Sequence, residues 1–73
     1  MNDNDIATIR VNGQRETLGA ATIAALLDAK EIGADARGIA VALNGSVVPR
    51  TAWRATKLSA GDAVEIVRAQ QGG

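Results

Sequence analysis

Only one stretch of this chain carries its apolar residues at helical spacing. Ile23, Leu26 and Leu27 fall at i, i+3 and i+4, a single stripe. Elsewhere the apolar residues alternate with polar ones or sit in short runs, as strands require. One helix with one stripe can cover one face of one sheet. The order is two strands, a helix, then further strands. That is an α+β chain, with one main helix packed on one face of a small mixed sheet of four to five strands. Giving the stripe to a partner helix instead would leave the sheet with nothing to cover it. The 73 residues make one domain, near the size at which a single core is marginal. With no cysteine to staple it, the core must come from the 47% of residues that are apolar.

The elements are predicted from local chemistry. Residues 1–5 are polar and expected to fray. Residues 6–11 read as a strand with Ala7, Ile9 and Val11 inward and Thr8 and Arg10 outward. Asn12-Gly13 is a hairpin turn, because both positions tolerate positive φ. Arg15 to Leu18 returns with Leu18 inward, and Gly19 breaks the strand. Thr22 is the expected N-cap. At the other end of the helix, Gly33 is the expected C′ residue and Lys30 complements the dipole, with Asp28, Lys30 and Glu31 towards solvent. Residues 33–38 read as loop. Ile39 to Asn44 is a strand with Ile39, Val41 and Leu43 inward and Ala40 and Ala42 outward. Asn44-Gly45 turns the chain into a stub at Val47 and Val48, which Pro49 ends. Residues 50–56 are irregular or one short helical turn around Trp53. Residues 59–62 turn into the last strand, Ala63 to Arg68, with Val64 and Ile66 on one face and Glu65 and Val67 on the other. The expected core joins Ile9, Val11, Leu26, Leu27, Val41, Leu43, Val64 and Ile66.

After Arg68 the apolar pattern stops. Residues 69–73 form a tail, expected to be flexible, that ends on Gly72-Gly73. A carboxylate on glycine is open to approach from either side, and paired glycines make a thin chain with φ values closed to other residues. Such a tail suits threading into a narrow tunnel. An α-carboxyl with a reference pKa of about 3.3–3.7 is ionised at neutral pH and a poor electrophile. A partner would therefore have to activate the Gly73 carboxylate, for instance as an acyl-adenylate.

The composition removes other chemistries. There is no His and no Cys, so the commonest general base, thiol catalysis and thiolate metal sites are absent. Asp3 with Asp5, and Glu31 with Asp35, lie at a free end or on a solvated surface, and no metal site is expected. Gly13, Gly19, Gly33 and Gly38 make no phosphate loop, since no Lys-Ser/Thr follows before a helix. Lys plus Arg equal Asp plus Glu at 8 each, and Trp53 is the only aromatic, so nucleic-acid binding has little support. No apolar run spans a bilayer and the polar start is no signal peptide, which makes the cytoplasm the expected location. Trp53 reads as a lid on the core.

The segments Leu43-Asn44-Gly45, Val48-Pro49-Arg50 with Trp53 three residues on, Leu58-Ser59-Ala60-Gly61-Asp62 leading into Val64 to Val67, and the terminal Gly72-Gly73 carry a family likeness. In order and spacing they resemble the ThiS sulfur-carrier proteins of thiamine biosynthesis, over nearly the whole chain after residue 5. The resemblance implies a β-grasp, or ubiquitin-like, fold in which first and last strands pair in parallel at the sheet centre. It implies a carrier and not an enzyme, with no bound cofactor. Gly73 would be adenylated with ATP by an E1-like adenylyltransferase, ThiF. Sulfur would then come from a cysteine desulfurase or other persulfide donor. The resulting thiocarboxylate would serve thiazole synthase, ThiG. Gly73 becomes the sulfur-bearing residue and Gly72 the threading residue. Gln70-Gln71 departs from the small or apolar residues usual in the family.

The five residues after Arg68 span about 17 Å if extended, enough to enter a partner's active site. A docking surface is also needed, and Val67 on the outward face, beside Ala40, Ala42 and Arg10, is the candidate. Arg50 is a further candidate, for a partner's acidic group or a local carboxylate. Two other readings share the fold. The molybdopterin synthase small subunit also ends in Gly-Gly, but its members usually have aromatics and prolines before the tail. A ubiquitin-like modifier would join Gly73 to lysines of targets.

Overall fold

The computed structural model describes residues 6–68. Five strands and one helix follow in the order β1 (Thr8–Val11), β2 (Gln14–Thr17), α1 (Ile23–Ala29), β3 (Ile39–Leu43), β4 (Ser46–Val48) and β5 (Ala63–Arg68). A single 3₁₀ turn, Arg50–Ala52, lies between β4 and β5. The sheet order is β2-β1-β5-β3-β4. β1 and β5 run parallel, and every other neighbouring pair is antiparallel. This is the mixed sheet with one helix that the single apolar stripe requires.

Both two-residue turns form where Asn-Gly occurs. Asn12 and Gly13 take φ 51° and 83°, and Asn44 and Gly45 take 52° and 87°. Positive φ at both central residues matches the right-handed twist of the flanking strands. Thr22 caps α1: its hydroxyl accepts from the Ala25 amide at 3.1 Å. The two amides before it are also satisfied, but from far along the chain. Ile23 donates to the Thr56 carbonyl and Ala24 to the Trp53 carbonyl, each at 3.1 Å. The segment after the 3₁₀ turn therefore takes up the donors a helix start leaves orphaned.

The helix ends earlier than the glycine pattern predicts. Lys30 is the C-cap, and Glu31, not Gly33, takes the left-handed position at φ 63°. The Glu31 amide donates to Asp28 O and the Ile32 amide to Leu27 O, each at 3.0 Å, which is a Schellman closure. Ile32 then packs against the core, as the apolar residue of such a closure does. Gly33 also has positive φ, two residues further on. Lys30 is not simply solvated: its Nζ bridges both Glu16 carboxylate oxygens at 2.9 and 2.7 Å, tying the helix end to β2.

One core lies between helix and sheet. It holds Ile9 and Val11 of β1, Ile23, Ala24, Leu26 and Leu27 of α1, Val41 of β3, and Val64 and Ile66 of β5, with Ala34, Trp53 and Leu58 from the connections. Leu43, Ile39 and Leu18 are half-buried against it. Ala7 departs from the inward set: it precedes β1 and is exposed. Trp53 is 2% exposed, and its indole N–H donates to the Val48 carbonyl at 2.9 Å, so the buried ring leaves no orphan donor. No helix among the described residues is long and apolar enough to cross a membrane.

Candidate functional site

The last strand occupies the middle of the sheet, and its end is the root of the tail. Val64 and Ile66 are buried among the core residues, while Glu65 and Val67 face the other way. Along its β3 side the pairing continues to the final residue, with Ala40 opposite Val67 and Ile39 opposite Arg68. Along its β1 side the strand-to-strand pairing stops at Val11 opposite Val64, because β1 has run out. Thus β5 is well held until shortly before residue 69. Gly72 and Gly73 lie outside the described residues, as do residues 1–5, so the expectations for them rest on sequence.

The face of the sheet turned away from α1 divides in two. On the β3–β4 side it is apolar. Val67 is 58% exposed, lies opposite Ala40, and has Ala42 two residues along the neighbouring strand. Val47 stands opposite Ala42 and is 78% exposed. On the β1–β2 side the face is basic: Arg10 and Arg15 are directly opposite each other, and Arg10 lies beside Ala63 of β5. Like charges at facing positions cost stability, and among the described residues neither arginine forms an ion pair. Glu65 stands between the two halves, opposite Ala42.

Four of the five docking candidates read from the sequence, Val67, Ala40, Ala42 and Arg10, therefore share this outer face. Arg50 does not join them. Its guanidinium sits 6.0 Å from the Trp53 ring centroid and donates to the Asp35 main-chain carbonyl, binding the loop that follows α1. Arg54 reaches the carboxylate of the same Asp35 at 3.1 Å. Val47 is the member of the patch that sequence reading left without a face. The signal for it was present: once Val48 points inward to pair with Val41, its neighbour must point out.

Among the described residues no three acidic side chains gather to hold a metal. The arrangement thus offers a sheet face with an apolar patch, a pair of arginines and a central strand that runs to Arg68.

The comparisons with known proteins agree with this geometry. The ThiS family model matches residues 9–73. The crystal structure of the thiamine biosynthesis protein ThiS from Geobacter metallireducens is similar with a TM-score of 0.75 and 39% identity, over 90% of this chain and 99% of that one. An NMR solution structure of a thiamine biosynthesis protein from the same organism gives 0.72 and 36%, over 90% and 87%. No curated protein gives a significant match. With the β-grasp topology in place and a family match that covers nearly the whole chain, this protein belongs to the ThiS family of sulfur carriers.

Proposed function

We propose that this protein carries sulfur for thiazole formation in thiamine biosynthesis on the carboxylate of Gly73. The observation that carries the reading is the extent of the family match, which runs from β1 through the terminal glycine pair. The protein acts as a co-substrate of other enzymes. An E1-like, ThiF-like adenylyltransferase binds it, and a Gly73 carboxylate oxygen attacks the α-phosphorus of ATP. Pyrophosphate leaves and the acyl-adenylate remains. The terminal sulfur of a persulfide, on a cysteine desulfurase or other donor, then attacks the acyl carbon and displaces AMP. A thiol cleaves the resulting acyl disulfide, leaving a thiocarboxylate on Gly73. A ThiG-like thiazole synthase consumes it.

The chain's own contribution is presentation. Val67, Val47, Ala40 and Ala42 offer an apolar contact that excludes water when covered, and Arg10 beside Arg15 selects an acidic rim on the partner. The globule then stays outside the partner while the last five residues reach about 17 Å inward. Gly72 supplies the narrow, φ-permissive step before the reacting carboxylate. The test is intact mass after incubation with an E1-like enzyme, ATP and a persulfide donor. The expected product gains the mass of one sulfur in place of one oxygen, at Gly73. A protein that supports no ATP–pyrophosphate exchange and gains no sulfur overturns the reading.

A further inference from the structure

The β1 side of β5 has a gap that a side chain fills. The chain leaves β1 at Val11 and turns at Asn12-Gly13, so no strand residue remains to pair with Ile66. The Asn12 amide does so instead. Its Oδ1 accepts from the Ile66 N–H at 2.8 Å, and its Nδ2 donates to the Ile66 carbonyl at 3.2 Å. The Asn12 backbone N–H donates to the Val64 carbonyl at 2.9 Å. One residue thus ends the parallel ladder with its main chain and adds a further rung with its side chain. A carboxamide offers one donor and one acceptor in one plane, as a peptide group does. The left-handed turn at φ 51° is what swings it over β5.

The second Asn-Gly turn binds the opposite end of the same strand. Asn44 Oδ1 accepts from the Ala63 N–H at 2.9 Å, its own N–H donates to the Ala63 carbonyl at 2.7 Å, and its Nδ2 reaches Asp62 Oδ1 at 3.1 Å. The two clamps are alike in chemistry and opposite in place. Asn44 holds the strand where it enters the sheet; Asn12 holds it at Ile66, two residues before the strand ends at Arg68.

We propose that Asn12 is a positioning residue for tail activation: by bonding both main-chain groups of Ile66, it sets the point and direction from which the chain leaves the sheet towards Gly73. This rests on the carrier reading above. Without the clamp, β5 is paired only on its β3 side from Ile66 onward, and the root of the tail swings within its plane. Small changes of direction there become large displacements five residues on. The globule still docks by its outer face, so binding to the activating enzyme persists while delivery of the carboxylate suffers.

The test uses Asn12→Gly, which keeps the positive φ that the turn requires and removes only the amide. Asn44→Gly is the matched control at the far end of the strand. Amide exchange at Ile66 should rise roughly 2- to 12-fold in Asn12→Gly, the equivalent of a net ~0.5–1.5 kcal/mol hydrogen bond. With an E1-like enzyme and ATP, the kcat for pyrophosphate exchange, at saturating carrier, should fall about tenfold or more in Asn12→Gly. KM for the carrier should change little, and Asn44→Gly should stay near wild type. A misplacement of ~1 Å can cost 10²-fold, so the assay has the range to see this. Asn12→Asp, which sets a carboxylate against the Ile66 carbonyl, should not restore kcat. Wild-type kcat in Asn12→Gly, or an equal loss in Asn44→Gly, overturns the positioning role. A wild-type protein that is not adenylated at all instead overturns the carrier reading.

Discussion

Leu27→Ala is the sharpest test of how the core is organised. Leu27 has 0% of its surface exposed and sits where the helix stripe meets the sheet. Truncation removes three carbons, worth about 2.4 kcal/mol at ~0.8 kcal/mol each. The hole cannot close cheaply, because Ile9, Val41 and Val64 are held on paired strands. A cavity term therefore adds to the transfer term, and the total should fall in the ~2–5 kcal/mol range of such substitutions. A chain of 73 residues has roughly 4–11 kcal/mol in all, at ~0.05–0.15 per residue. A loss of ~3 kcal/mol lowers Tm by about 12–24 °C in a domain of this size. Urea denaturation followed by the fluorescence of Trp53 is the assay, since that ring is the only aromatic and is 2% exposed. Val47→Ala, at a site 78% exposed, serves as the comparison and should stay within about 0.5 kcal/mol of wild type. Equal midpoints for the two variants would refute the packing argument.

Glu31→Gly should stabilise the fold by up to ~1 kcal/mol, because relief of a left-handed non-glycine residue outweighs the glycine entropy; a lowered urea midpoint would show that the Glu31 side chain does more than occupy the turn. Lys30→Met breaks a part-exposed bridge to Glu16 and should cost no more than about 1 kcal/mol by the same denaturation assay. Val67→Asp should leave stability within ~0.5 kcal/mol and raise KM for the activating enzyme, since it sets a charge in an apolar contact; unchanged adenylation kinetics remove Val67 from the interface. Deleting Gly73 should abolish sulfur loading with no change in Tm, because it withdraws the carboxylate by ~3.3 Å; intact mass after loading decides.

What the sequence disclosed and what it hid differ by range along the chain. The alternation of Val64 to Val67, the stripe at Ile23, Leu26 and Leu27, the Thr22 cap and both Asn-Gly turns are decided within a few residues, and all stand in the structure. The inward pairs on β1 and β3 follow from the same period. The helix end was misjudged because Gly33 is the cheaper left-handed residue. Ile32 needed to reach the core, and that need put Glu31 in the turn. Ala7 was assigned inward by extending the strand period past the point where pairing begins. For Arg50 the sequence leaves a partner's acidic group and a local carboxylate both open; the acceptor it reaches, the Asp35 main-chain carbonyl 15 residues away, carries no local signal. The Asn12 clamp on Ile66 crosses 54 residues, and the Thr56 and Trp53 carbonyls meet the helix start from well downstream. No local rule encodes such partners. They follow only once the sheet order is known.

That sheet order also governs when the molecule can come into being. The hairpin β1–β2 and the hairpin β3–β4 do not touch in the sheet; β5 alone joins them. A chain emerging from the ribosome therefore has no continuous sheet until β5 is out. Pairing β1 with β5 then joins segments more than fifty residues apart, a loop closure whose entropy cost slows folding. A fragment that lacks β5 has no finished outer face: Ala40, Ala42 and Val47 lie on β3 and β4, but Val67 comes with the last strand.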